Sequence, residues 1–358
     1  MPAWLEVALA DPVLRWAVYV TAALALVTAL TMLQVLVLAE LGARRQRRRR
    51  RFDETWRPRL AEATLQAQAA PPWPGPAGRE RLWFLLLWGR TQRRLRGESH
   101  ARLNRLLAGY ALDRFALGLL RRRGLHLRLL ALAVLRELGD PATWDEVARF
   151  LRHDNPFLAL AAAEVLVTLD AGRAMRELLP VVATRRDWTP QRLTALCRQA
   201  GTAAVSTPLL AALHTAAPAE ERRLAALAVC ADPARMAGWV RVTLAGHDDA
   251  LVRQAALQVL GELRDAADRP ALDAALADPD PGVRLSALKA LRKQLDLAGL
   301  DSLLALLPDP DWAVRQEAAD AIAALPGLDR ARLEGLAATL PDRYGRDALH
   351  RAIAERQP

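Results

Sequence analysis

Residues 248–260 read DDALVRQAALQVL, residues 278–291 read DPDPGVRLSALKAL, and residues 309–322 read DPDWAVRQEAADAI. Arg253, Arg284 and Arg315 stand 31 residues apart, and Ala256, Ala287 and Ala318 keep the same step, as do Leu260, Leu291 and Ile322. Self-similarity at a fixed period of this size marks a repeat architecture, in which each short unit buries its apolar face against the next. Working backwards, the step recovers Arg222, Ala225 and Val229, then Cys197 at one residue more, then Leu166 and Leu135 at 31 again. Forwards it reaches Arg346 and Ile353. About seven repeats and a terminal fragment fit between Leu125 and the C-terminus, each read as two short amphipathic helices.

The turn inside each pair has a physical cause. In Asp278-Pro279-Asp280 and Asp309-Pro310-Asp311 the proline disfavours helix for the residue before it, while an aspartate caps the helix that follows. Small alanines allow a close crossing, and a large aliphatic four residues later locks it. Composition agrees with helix throughout: 52% of residues are hydrophobic and only 5% aromatic, and the vocabulary is mostly Ala, Leu and Arg.

The Asp-Pro-x-x-x-Val-Arg-x-x-Ala signature resembles the HEAT-repeat superfamily, and its 31-residue spacing is most similar to the short HEAT-like repeats of phycobilin lyases. The resemblance covers 125–358 and is weakest between Leu135 and Cys197, where Val-Arg is missing. It implies an all-α, right-handed HEAT-type solenoid. It also implies that the recurring Asp and Arg bond between neighbouring repeats, so Arg222, Arg253, Arg284, Arg315 and Arg346 with Asp280 and Asp311 are expected to form a structural ladder rather than a ligand site.

Ahead of the repeats, Trp16 to Ala39 runs 24 residues without a charge. At the helical rise this exceeds the roughly 30 Å of hydrocarbon that a spanning helix crosses. A cleavable signal would have a basic start and a shorter apolar core, whereas this segment opens with Glu6 and Asp11 against Arg15. One N-terminal transmembrane helix, about 16–41 within a segment 1–43, is therefore expected. Arg44, Arg45, Arg47, Arg48, Arg49, Arg50 and Arg51 follow it directly. Positive residues beside a span stay in the cytoplasm, which puts the N-terminus outside and the C-terminal body inside, as on a bacterial inner membrane. The same arginines are candidates for contact with anionic lipid headgroups, the alternative being a topology signal alone. Trp4, Trp16, Trp56 and Trp73 suit a water–lipid boundary. Thr21, Thr28, Thr31 and Gln34 either pair with another helix or bond back to their own backbone.

Residues 44–78 read as a juxtamembrane segment and linker, since Pro71–Gly78 (PPWPGPAG) holds four prolines in eight residues and favours a stiff extended spacer. Residues 79–124 read as capping helices. Within them Leu82–Trp88 (LWFLLLW) either caps the solenoid or lies against lipid. The charge is divided along the chain. Residues 79–128 carry thirteen arginines against Glu80, Glu98 and Asp113, while 129–358 carry 27 Lys and Arg against 31 Asp and Glu. A nucleic-acid-binding solenoid would place its positive charge along the repeats, so nucleic acid is not an expected partner.

No chemistry-bearing motif emerges. The six histidines, at 100, 126, 153, 214, 247 and 350, do not stand at metal-ligand spacing with each other or with Cys197 and Cys230, which read as buried thiols. There is no phosphate loop and no nucleophile elbow. No catalytic, cofactor or metal residue is assigned, and no small-molecule substrate is evident. Trp312 is singled out because sister repeats carry Gly282 and Ala250 there. It is either a partner anchor or a filler between repeats. The expected function is a membrane-anchored cytoplasmic scaffold or adaptor that binds membrane-associated proteins, such as an envelope- or polysaccharide-building complex. The alternatives are a lyase-type enzyme or accessory factor, as the resemblance implies, and a regulator responsive to anionic lipid.

Overall fold

A computed structural model describes residues 12–65, 73–293 and 299–356; Trp4 and Pro71-Pro72 lie outside them. The described residues hold helices and turns and no strand. The chain divides into two compact units, Met1–Gly118 and Leu119–Pro358.

The first unit opens with α1, Pro12–Leu65, a single helix of 54 residues. Its N-terminal half leaves its large apolar side chains exposed, among them Trp16, Leu24, Leu30 and Leu36. This is one helix long and apolar enough to cross a membrane. The hydroxyls of Thr28 and Thr31 donate to Leu24 O and Thr28 O at 2.8 and 2.9 Å, and Thr21 bonds back to Ala17 O, so these threonines satisfy themselves along the helix.

The C-terminal half of α1 changes character. Phe52, Trp56, Leu60 and Ala63 form a buried stripe at helical spacing. They pack against α2, Glu80–Gln92, and α3, Glu98–Gly109. Trp56 meets Phe84 edge-to-face at 4.9 Å, and the Trp88 indole N–H donates to Leu103 O at 3.0 Å. Leu82–Trp88 is therefore the core of this unit, with Phe84, Leu85 and Trp88 at 0% exposure, and is not turned to lipid. Trp56 is likewise a core residue and not a boundary one, because α2 and α3 supply it with an apolar wall. Nor is the proline segment a spacer: the Tyr110 hydroxyl donates to Trp73 O at 2.9 Å. At Gly75 a Cβ would stand 2.8 Å from the Tyr110 ring, so glycine permits that approach. The boundary between the units falls within α4, Leu112–Leu120.

The second unit is a stack of helix pairs. The second helices are α5 Leu125–Leu138, α7 Pro156–Leu169, α9 Pro190–Ala200, α11 Pro218–Ala225, α13 Ala250–Leu263, α15 Pro281–Arg292, α17 Trp312–Ala323 and α19 Arg343–Glu355. Before them come the partners α6 Trp144–Ala148, α8 Ala171–Thr184, α10 Thr202–Thr215, α12 Pro233–Gly246, α14 Arg269–Ala275, α16 Leu300–Leu304 and α18 Arg330–Thr339. Asp249, Asp280, Asp311 and Asp342, again 31 apart, cap the last four second helices by accepting first-turn N–H bonds. Ala256, Ala287 and Ala318 are fully buried at the crossings, with Leu260, Leu291 and Ile322 beside them.

The stack loses its even step in the middle, where second helices begin at Pro156, Pro190, Pro218 and Ala250, at intervals of 34, 28 and 32 residues. Val229 is a correction to the sequence reading. It is 47% exposed, because α11 ends at Ala225 and the chain tightens into a 3-10 turn, Ala228–Cys230, which turns Ala228 and Cys230 inward instead.

Candidate interaction surfaces

Along the turns of the second unit runs a chain of arginine bonds. Arg253 Nη1 donates to His247 O and Asp248 O, at 2.7 and 2.9 Å, closing its own turn. Its Nε and Nη2 reach Asp278 Oδ2 and Oδ1 of the next repeat at 2.9 and 2.8 Å. Arg284 repeats the motif, with Nη1 on Asp278 O and Pro279 O and a bidentate pair to Asp309 at 2.8 and 2.9 Å. Two parallel charge-assisted bonds fix direction as well as distance, which makes each pair a spacer between repeats.

The acids of this ladder are Asp278 and Asp309 rather than Asp280 and Asp311. Asp280 and Asp311 are occupied as helix caps, accepting from Val283 N and from Ala313 N and Val314 N. The ladder acids in turn accept from the cap residues' N–H, Asp280 N on Asp278 and Asp311 N on Asp309, at 2.9 and 2.8 Å. Burial pushes the carboxyls of Asp278 and Asp309 up, but the guanidinium and the backbone N–H outweigh it and hold both below the ordinary aspartate range. The partner aspartates hold Arg253 and Arg284 above their usual value despite burial.

The ladder changes partners at its ends. Arg315 keeps its carbonyls, Asp309 O and Pro310 O, but where an acid would stand 25 residues on there is Leu340, and its guanidinium lies 5.4 Å from the Tyr344 ring. Arg222 pairs with Asp249 at 2.5 Å, because His247 holds the acid's place. His247 Nδ1 accepts from Asp249 N at 3.0 Å, and His153 Nδ1 takes Asn155 N in the same way at 2.9 Å. Arg346 occupies the matching position on α19, half-buried. The arginine-to-acid interval of 25 residues was the signal in the sequence that separates ladder acids from caps.

Outside the ladder, the first turns of the second helices carry exposed large side chains: Phe157 at 60%, Leu251 at 52%, Trp312 at 67% and Tyr344 at 65% exposure. Trp312 therefore fills no gap between repeats. It shares its helical position with Ala250 and Pro281, Gly282 lying one residue deeper, since the caps Asp249, Asp280 and Asp311 set the count. Because the ladder fixes the turn from which each of these helices starts, the exposed side chains stand as a row on one edge of the stack.

The arginine run lies within α1. Arg44 and Arg47 pair with Glu40 at 2.9 and 3.5 Å, whereas Arg48, Arg49 and Arg51 line an open cavity with α2. The side chain of Arg45 lies outside the described residues. Cys197 and Cys230 are both buried, and Cys230 Sγ lies 3.8 Å from Thr194 O. Among the described residues no group of three or more His, Cys, Asp or Glu is arranged to hold a metal ion.

Residues 206–292 and 271–354 match the family model described as HEAT repeats. No curated protein matches the chain. Among solved structures, the chain is similar to an engineered protein from the Northeast Structural Genomics Consortium, with 16% identity over 82% of this chain and 92% of that one and a TM-score of 0.35. It is also similar to human deoxyhypusine hydroxylase in complex with glycerol, with 19% identity over 69% and 98% of the two chains and a TM-score of 0.25.

Proposed function

We propose that the HEAT repeats of this chain form a protein-binding scaffold, and that α1 holds the protein in a bacterial inner membrane with the repeats in the cytoplasm. HEAT repeats commonly serve protein interaction, and a solenoid offers an extended surface with no need of chemistry of its own. The observation that carries the reading is the row of Phe157, Leu251, Trp312 and Tyr344. Large apolar side chains left in water on successive repeats have a cost that a bound partner removes, and aromatic anchors supply most of the energy of such interfaces. The arginines after the apolar half of α1 support the orientation. On this reading the partner is a membrane-associated protein, and an envelope- or polysaccharide-building enzyme complex fits the location.

The test is crosslinking in intact membranes followed by mass spectrometry, on the full chain, on the chain with a foreign transmembrane helix, and on Phe157→Ala/Leu251→Ala/Trp312→Ala. The expected result is one integral-membrane partner recovered with the first two and lost with the third. Equal recovery with the triple variant would remove the row from the interface, and recovery of no protein with the native chain would end the scaffold reading.

A further inference from the structure

The cavity beside the arginine run separates arginines that the sequence presents as equivalent. It has a volume of about 1160 Å³ and opens between the middle of α1, the Pro74–Ala77 loop and the start of α2, all within the first unit. Arg48, Arg49, Arg51, Arg59 and Arg79 line it, against a single carboxylate, Glu80. Its floor is apolar, from Phe52, Trp56 and Trp83, whose rings pack on one another and on Phe84.

The neighbouring arginines are neutralised: Arg44 and Arg47 by Glu40, Arg57 by Asp53. Among the described residues, no acidic side chain forms an ion pair with Arg48, Arg49, Arg51 or Arg79. Arg59 is fixed by stacking, its guanidinium 5.2 Å from the Trp56 ring and 5.7 Å from the Trp73 ring. Five guanidinium groups gathered at one cavity repel each other, and an anion bearing several oxygens relieves this by taking bidentate bonds from the planar forks. A singly charged phosphodiester would leave most of the excess uncompensated. A phosphomonoester or diphosphate matches it better.

We propose that this cavity binds a phosphomonoester or diphosphate group, and that its position on α1 makes a lipid headgroup the natural carrier. This rests on the reading of α1 as a membrane span. Arg48 lies about 14 Å along the helix axis from Ala39, where the apolar run ends, within reach of an extended headgroup at the interface.

The test uses the full-length protein in phosphatidylcholine nanodiscs doped with phosphatidic acid or with phosphatidylglycerol, bound lipid being counted by native mass spectrometry. Phosphatidic acid should be retained over both other lipids. Arg48→Gln/Arg51→Gln/Arg79→Gln should weaken retention about tenfold or more, and Arg44→Gln/Arg47→Gln/Arg57→Gln, with the same loss of charge, should change it by less than about twofold. The corresponding Arg→Lys triple, which keeps the charge and loses the fork, should fall between them. Equal losses in the two Gln triples, or no preference for phosphatidic acid, would overturn the proposal unless inorganic pyrophosphate binds. That arm is run on detergent-solubilised protein. Pyrophosphate binding that the cavity triple abolishes supports the same site with a soluble ligand, and its absence together with either lipid failure sinks the site. Release of the chain from membranes by alkaline carbonate would count against the span alone and leave the pyrophosphate arm to judge the cavity.

Discussion

Arg284 shows what one side chain does in this stack. Its five donors are divided between two carbonyls of its own turn and the carboxylate of Asp309 in the next, with Asp309 only 4% exposed in its side chain. Asp309→Asn removes the charge and leaves the guanidinium short of a partner. We expect a loss of about 2–3 kcal/mol in urea unfolding, between the values for surface and fully buried pairs. Asp280→Ala, by contrast, removes a helix cap and should cost about 1 kcal/mol. The pH dependence carries the same signature. Because the folded-state carboxyl of Asp309 is held below its ordinary value, its contribution is complete above about pH 4 and is lost as pH falls through the lower folded value. The difference between native protein and Asp309→Asn should therefore shrink below about pH 4, and a constant difference would mean that charge is not what the aspartate supplies. The sequence displayed both aspartates of each Asp-Pro-Asp turn and could not divide them between cap and ladder. The division depends on which carboxylate faces the arginine fork.

At the scale of helices, the last repeats owe their fit to small residues at the crossings. A Cβ on Gly261 would stand 2.9 Å from Ala290 Cα and 3.0 Å from its Cβ, with helix backbone rather than a flexible side chain in the way. Gly261→Leu should destabilise the protein by about 1–3 kcal/mol by forcing α13 from α15, measured as a shift in the denaturation midpoint at unchanged slope. These helices were legible in the sequence because cap, Val-Arg and alanine recur at one interval. Residues 190–230 were not, for a physical reason. Thr189, Gly201 and Ala217 stand at cap positions and make no side-chain cap bond, so the 31-residue step loses its marker there. Val229 was misplaced by counting through that region.

Across the whole second unit, stability in a repeat stack is close to a sum over units and their nearest-neighbour contacts, so the least regular junction is where opening begins. Amides of α9 and α11 should exchange hydrogen faster than those of α13 and α15 when followed by mass spectrometry. Uniform protection along the stack would show that it opens only as one body. The first unit escaped the sequence reading for a different reason. Its core joins Trp56 to Phe84 and Leu103 across a proline segment that reads locally as a spacer, and only the fold reveals that the segments on either side belong together. That core includes the end of the same helix that carries the apolar run, and α1 continues from Pro12 to Leu65 without interruption. Set in a bilayer, such a helix is a lever arm with no joint. A span tilted by about 20° would swing Trp56, about 24 Å beyond Glu40, sideways by about 8 Å. Bilayer thickness, which sets that tilt, would thus be converted into lateral displacement of the first unit.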